Sequence, residues 1–109
     1  MVRPRVYLGG RVSIGPGQID LLQKIAETRS ISAAGRALGI PYKRAWTLIN
    51  ALNEGFHRPV VETATGGKGG GGTVVTPLGE QILLRYAALE ARINLTSASE
   101  LAALGDLLK

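Results

Sequence analysis

Residues 32–53 read SAAGRALGIPYKRAWTLINALN, and the order of residue types in this stretch decides the fold. Ser32 is expected to cap a short helix through Ala33, Ala34, Arg36, Ala37 and Leu38, because its hydroxyl can accept a first-turn N–H that has no helical partner. Gly39 tolerates the left-handed conformation that ends a helix, and Pro41 suits the first turn of the next, where its missing N–H costs nothing. That second helix is expected to extend to about Asn53. Projected at about 100° per residue, Ala45, Leu48, Ile49 and Leu52 share one side, and Lys43, Thr47, Asn50 and Glu54 share the opposite one.

A short helix, a tight turn and a second helix with a polar outer face are the parts of a helix-turn-helix, whose second helix fits a major groove about 12 Å wide. The outer face offers a cation, a hydroxyl and an amide, the groups that pair with guanine, with either base and with adenine. Lys43, Thr47 and Asn50 are therefore the base-reading candidates. Tyr42 and Arg44 join them because recognition helices touch bases with their first turns. A merely solvated amphipathic helix would show the same face, but the paired short helix argues against it. Trp46 flanks the apolar stripe and reads as core or rim. Ser30 and Ser32, beside the free N–H groups that open the short helix, are candidates to hold a phosphate, although Ser32 is also the expected cap.

Outward from this unit, Val6, Leu8, Val12 and Ile14 alternate with polar residues around Gly9-Gly10, which predicts a short hairpin with a two-residue turn. Gly15-Pro16-Gly17 breaks it, and Ile19, Leu22, Ile25 and Ala26 recur at helical spacing to about Thr28. Downstream, Val60–Thr63 and Thr73–Val75 are β-prone runs joined by a glycine tract, a hairpin with Lys68 at its tip, where the ammonium can lie along a phosphate backbone. Thr76-Pro77 opens a long helix with the apolar stripe Leu78, Ile82, Tyr86, Leu89 and Ile93. Ser97 with Glu100 forms a capping box for a last helix that presents Leu101, Leu104 and Leu108 and is weakened by Gly105. The chain thus reads as one domain, residues 1–109, mainly α with small β-hairpins. The order of elements predicts a winged helix-turn-helix, with the helix-turn-helix at 32–53, the wing at 60–75 and two further helices over 77–108, to which the resemblance given below assigns dimerisation.

The charge is uneven. Residues 1–14 hold three arginines and no acid, and residues 29–72 hold six cations against Glu54 and Glu62, within a net charge of +5. A basic middle between slightly acidic flanks suits a polyanion, while ordinary solubility charge would account for it equally well. With no cysteine and a single histidine, His57, the chain lacks thiolate chemistry and has no pair of ligands for a metal or a triad, so His57 reads as structural. No metal site or cofactor is expected. The glycine tract matches a dinucleotide fingerprint only because any such tract does, and a P-loop is excluded by Glu62 and by the glycine after Lys68. No carboxylate pair is apparent, so no enzyme activity is expected. With neither a signal peptide nor an apolar run of membrane length, a cytoplasmic protein is expected.

Ser30-Ile31-Ser32-Ala33-Ala34, Tyr42-Lys43-Arg44-Ala45-Trp46, Val61-Glu62-Thr63, the run Thr65–Gly72 and Thr76-Pro77-Leu78-Gly79 together resemble the ModE family of molybdate-responsive regulators, over roughly residues 5–93. The first half is also similar to the wider LysR-type winged helices. The resemblance implies double-stranded DNA as partner, α-helical recognition of the major groove, a wing beside it, and a homodimer on a pseudo-palindromic operator. Leu78, Ile82, Tyr86, Leu89, Ile93, Leu101 and Leu104 are the residues expected to build that dimer. Full-length members carry C-terminal oxyanion-binding domains that sense molybdate, and the sequence in hand reaches Lys109 before such a segment. Three readings stay open: a piece of a longer regulator, a stand-alone domain, or a protein signalled by a separate effector-sensing partner. The rival from another class is a winged-helix module that binds another regulator through its third helix or its leucine-rich tail.

Overall fold

In a computed structural model, which describes residues 1–63 and 72–109, the chain begins with an antiparallel hairpin of β1 (Val6–Leu8) and β2 (Val12–Ile14). Gly9 and Gly10 take positive φ of 59° and 78°. The register pairs Leu8 with Val12, so the turn holds three residues, Gly9, Gly10 and Arg11, and not two. Helix α1 (Pro16–Thr28) follows. Gln18 reaches back to accept the Gly15 N–H at 3.1 Å, and its amide nitrogen lies 3.5 Å from the Leu48 carbonyl, so one buried side chain starts α1 and ties it to the third helix.

Helix α2 (Ile31–Leu38) and helix α3 (Tyr42–Gly55) form the helix-turn-helix. The cap of α2 is Ser30 and not the expected Ser32: Ser30 is extended and its Oγ accepts the Ala33 N–H at 3.0 Å. The physical reason is Ile31, which the core buries and which therefore has to open the helix. Gly39 ends α2 at φ 69°, with the Ile40 N–H on the Gly35 carbonyl at 2.8 Å and the Gly39 N–H on Arg36 at 3.2 Å, a Schellman closure. A side chain at Gly35 would meet the Ile40 carbonyl at 2.9 Å, so this turn is as tight as backbone allows. Pro41, one residue earlier than expected, stands at the N-cap of α3 with an extended ψ, and α3 continues two residues past Asn53.

A second antiparallel hairpin pairs β3 (Val61–Thr63) with β4 (Thr73–Val75). Arg29, left-handed at φ 58°, ends α1 and offers its carbonyl to the Thr73 N–H at 3.0 Å, which docks the returning strand on the helix end. Helix α4 (Pro77–Thr96) opens as read: the Thr76 Oγ accepts the Gly79 N–H at 3.1 Å and donates to the Pro59 carbonyl at 2.8 Å. Helix α5 (Ala98–Gly105) departs from expectation at its start. Ser97 sits at φ −106°, ψ 10°, nearly helical, and its hydroxyl donates back to the Ile93 carbonyl at 2.6 Å, so no capping box forms with Glu100. A cap needs an extended residue, and α4 runs almost straight into α5.

The core lies where α1, α2, α3, the second hairpin and the first half of α4 meet. Leu21, Leu22, Ile25, Ile49, Leu52 and Val60 are fully enclosed there. Each contributes about 1.5–3 kcal/mol by leaving water. The N-terminal segment is strapped to α4 by the Tyr86 hydroxyl donating to the Pro4 carbonyl at 2.7 Å and by Asn94 exchanging hydrogen bonds with the Val2 backbone.

Candidate nucleic-acid interface

The outer face of α3 forms because Ala45, Ile49 and Leu52 are drawn into the core, leaving the opposite side of the cylinder in water. Lys43, Arg44, Thr47, Asn50 and Glu54 are all exposed there. The Thr47 hydroxyl donates to the Lys43 carbonyl at 3.0 Å, which leaves its lone pairs outward as acceptors. Tyr42 is 58% exposed and meets the half-buried Trp46 edge-on, ring centroids 6.2 Å apart. Trp46 packs against the core as its position on the flank of the stripe suggested.

The two serines divide. Ser30 spends its Oγ on the Ala33 N–H, while Ser32 sits half-buried in the first turn of α2. Lys68 lies outside the described residues. His57, read as structural, is exposed in the loop between α3 and β3 and is not packed in the core.

Asn53, expected only to end the third helix, couples it to the hairpin. Its Oδ1 accepts the Val60 and Val61 N–H groups at 2.8 and 3.0 Å, and its Nδ2 donates to the Val61 carbonyl at 3.1 Å. The signal available in the sequence was weak: an amide on the flank of the apolar stripe, one turn after Ile49. Of the N-terminal arginines, Arg3 is neutralised by Asp20 at 2.6 Å and Glu90 at 3.3 Å. The hydrogen bond with Asp20 holds its guanidinium above its already high ordinary pKa.

The residues expected at a dimer interface also divide. Ile82 and Tyr86 are buried against the chain's own core and Leu78 packs against it. Leu89 and Leu104 are exposed, and Ile93 and Leu101 are half-buried. Leu84 and Leu95, which the stripe omitted, are 71% and 80% exposed.

Residues 16–80 match the family described as bacterial regulatory helix-turn-helix protein, lysR family. The chain belongs to that family. This lysR-type domain is 46% identical over 80 residues to the molybdenum-pterin-binding protein MopB of Rhodobacter capsulatus, an alignment covering 73% of this chain and 30% of MopB. It is 46% identical over 74 residues to the DNA-binding transcriptional dual regulator ModE of Escherichia coli K12, covering 68% of this chain and 28% of that protein. The transcriptional regulator ModE of Haemophilus influenzae is 40% identical over 77 residues, with 71% and 30% covered. The chain thus spans under a third of the length of these curated relatives. A lysR-type domain of this kind is a DNA-binding element of transcriptional regulators. No helix among the described residues is long and apolar enough to cross a membrane.

Proposed function

We propose that the chain is a cytoplasmic, non-enzymatic transcription regulator that binds a pseudo-palindromic operator as a homodimer. One observation carries this reading: Lys43, Arg44, Thr47 and Asn50 stand exposed on one side of α3 while its other side is locked into the core. Lys43, Thr47 and Asn50 read bases, with Tyr42 and Arg44 at the entering end. Ser32 and the first-turn N–H groups of α2 hold a phosphate, and Lys68 follows the backbone from the wing. Leu89, Ile93, Leu101 and Leu104 supply the contact between copies, since apolar side chains left wholly or partly in water are a surface a second chain can cover. The relatives' names point to molybdenum-linked regulation.

Selection of bound sequences from random duplexes tests this. An inverted repeat is the expected product, and Lys43→Ala and Thr47→Ala relax the preference at defined positions by about 1–3 kcal/mol each. Equal losses on selected and random duplexes would refute the base-reading assignment. The leucines on α5 also suit a module that binds another regulator, with DNA incidental. Salt separates the two readings, because an affinity carried by phosphates falls steeply with log salt and an apolar contact hardly responds.

A further inference from the structure

The uneven N-terminal charge resolves into two parts in the fold. Arg3 is consumed by Asp20 and Glu90, but Arg5 and Arg11 are exposed and carry no ion pair among the described residues. With Arg44 they line one cleft of about 260 Å³, whose wall also includes Val12, Ser13, Gly17, Gln18, Leu48 and Ala51. None of its lining residues is acidic. The first turn of α1 opens onto it with no acidic residue, and the N–H groups of that turn have no helical partner. Three arginines lining one cleft that has no acidic residue give it a positive potential, which favours an anion.

The position of this cleft says which anion. At about 100° per residue, Arg44, Leu48 and Ala51 fall on one flank of the outer face of α3, and Tyr42, Trp46 and Asn53 on the other. The second flank faces the wing, because Trp46 and Asn53 share a cleft with Val61, Glu62 and Thr63. A helix about 10–12 Å across in a groove about 12 Å wide is bordered by a phosphate strand on each side. In the proposed function the wing serves one of them.

We infer that Arg5, Arg11 and Arg44, converging with the start of α1, seat a phosphate of the other strand, which makes the N-terminal hairpin a second DNA-binding element across the recognition helix from the wing. This rests on the proposal that α3 enters the major groove. Arginine suits the task, since its planar fork meets phosphate oxygens two at a time. Gly17 offers an independent handle: it is exposed, and a side chain there would meet nothing within 4 Å. Gly17→Asp therefore fits without strain and places an acid at a helix N-terminus, favourable for folding, while filling the cleft with the wrong charge.

The test is fluorescence anisotropy on a random-sequence duplex about three helical turns long, titrated with salt, for the intact chain and for Arg5→Gln, Arg11→Gln, the double variant, Gly17→Asp and Lys109→Gln. The slope of log affinity against log salt is expected to shrink by about 0.9 for each single arginine variant and about 1.8 for the double, with a roughly tenfold loss at low salt. Gly17→Asp is expected to weaken binding without lowering its melting temperature, and Lys109→Gln, an equal charge change at the far end of the chain, to leave the slope unaltered. Unchanged affinity and slope in the double variant and in Gly17→Asp would overturn the inference, while Lys43→Ala still relaxing sequence preference would leave the parent reading standing. Absence of DNA binding by the wild-type chain would overturn both. A melting-temperature rise with inorganic phosphate over chloride at equal ionic strength, abolished in the double variant whose DNA binding is intact, would give the cleft to a free anion and overturn it as well.

Discussion

Replacing Asn53 by alanine should uncouple the second hairpin from the recognition helix. The side chain makes three hydrogen bonds to the backbone of residues 60 and 61, at 2.8, 3.0 and 3.1 Å, and Val60 and Val61 are 0% and 4% exposed, so little water can replace them. At about 1 kcal/mol for each bond, and more for a buried group left without a partner, the loss is about 3 kcal/mol. For a domain of this size 1 kcal/mol moves the melting temperature by about 4–8 °C, so a fall of about 12–24 °C is expected. Thermal unfolding followed by far-ultraviolet circular dichroism reads this, and the fluorescence of the single tryptophan, Trp46, reports the same transition from beside the clamp. Asn53→Asp keeps both accepted N–H groups but sets a carboxylate oxygen against the Val61 carbonyl, so it should also be less stable than wild type. A drop below about 4 °C for Asn53→Ala would refute the clamp.

Gly79→Ala brings a side chain to 2.5 Å from both the Val60 carbonyl and a Val75 methyl, so it should destabilise by at least about 2 kcal/mol in chemical denaturation, whereas Gly17→Ala, facing open space, should not. Burial, helped by Glu90, pushes the Tyr86 phenol above its ordinary pKa, so the folded state holds that proton more tightly than the unfolded one. This stability is fully present below about pH 10 and is lost as pH rises through the folded value; Tyr86→Phe should flatten the alkaline limb of a stability-against-pH curve while costing the hydrogen bond to Pro4 at every pH.

The elements whose signals are local were legible in the chain. Thr76-Pro77 had to open a helix because a hydroxyl and a ring with fixed φ act on their own neighbours, and Gly39 had to end one because only a residue without Cβ sits easily at positive φ. The outer face of α3 followed from the spacing of Ala45, Ile49 and Leu52 alone. Where two local solutions competed, tertiary packing chose between them: both Ser30 and Ser32 can cap, and the burial of Ile31 selected the first. Ser97 and Glu100 had the composition of a capping box, but the continuation of α4 into α5 removed the extended backbone that it needs.

Sequence by itself determined the helix-turn-helix, the hairpins and the polar face of α3, since these rest on periodicity and on residues acting within a few positions of one another. Only the tertiary structure decided which leucines remain outside, which N-terminal arginine is neutralised and which are left to meet in a cleft, and how α3 is tied to its hairpin. Those outcomes join residues as far apart as Val2 and Asn94 or Arg3 and Glu90. No local propensity encodes such a pairing, because which distant groups meet is settled by how the core closes.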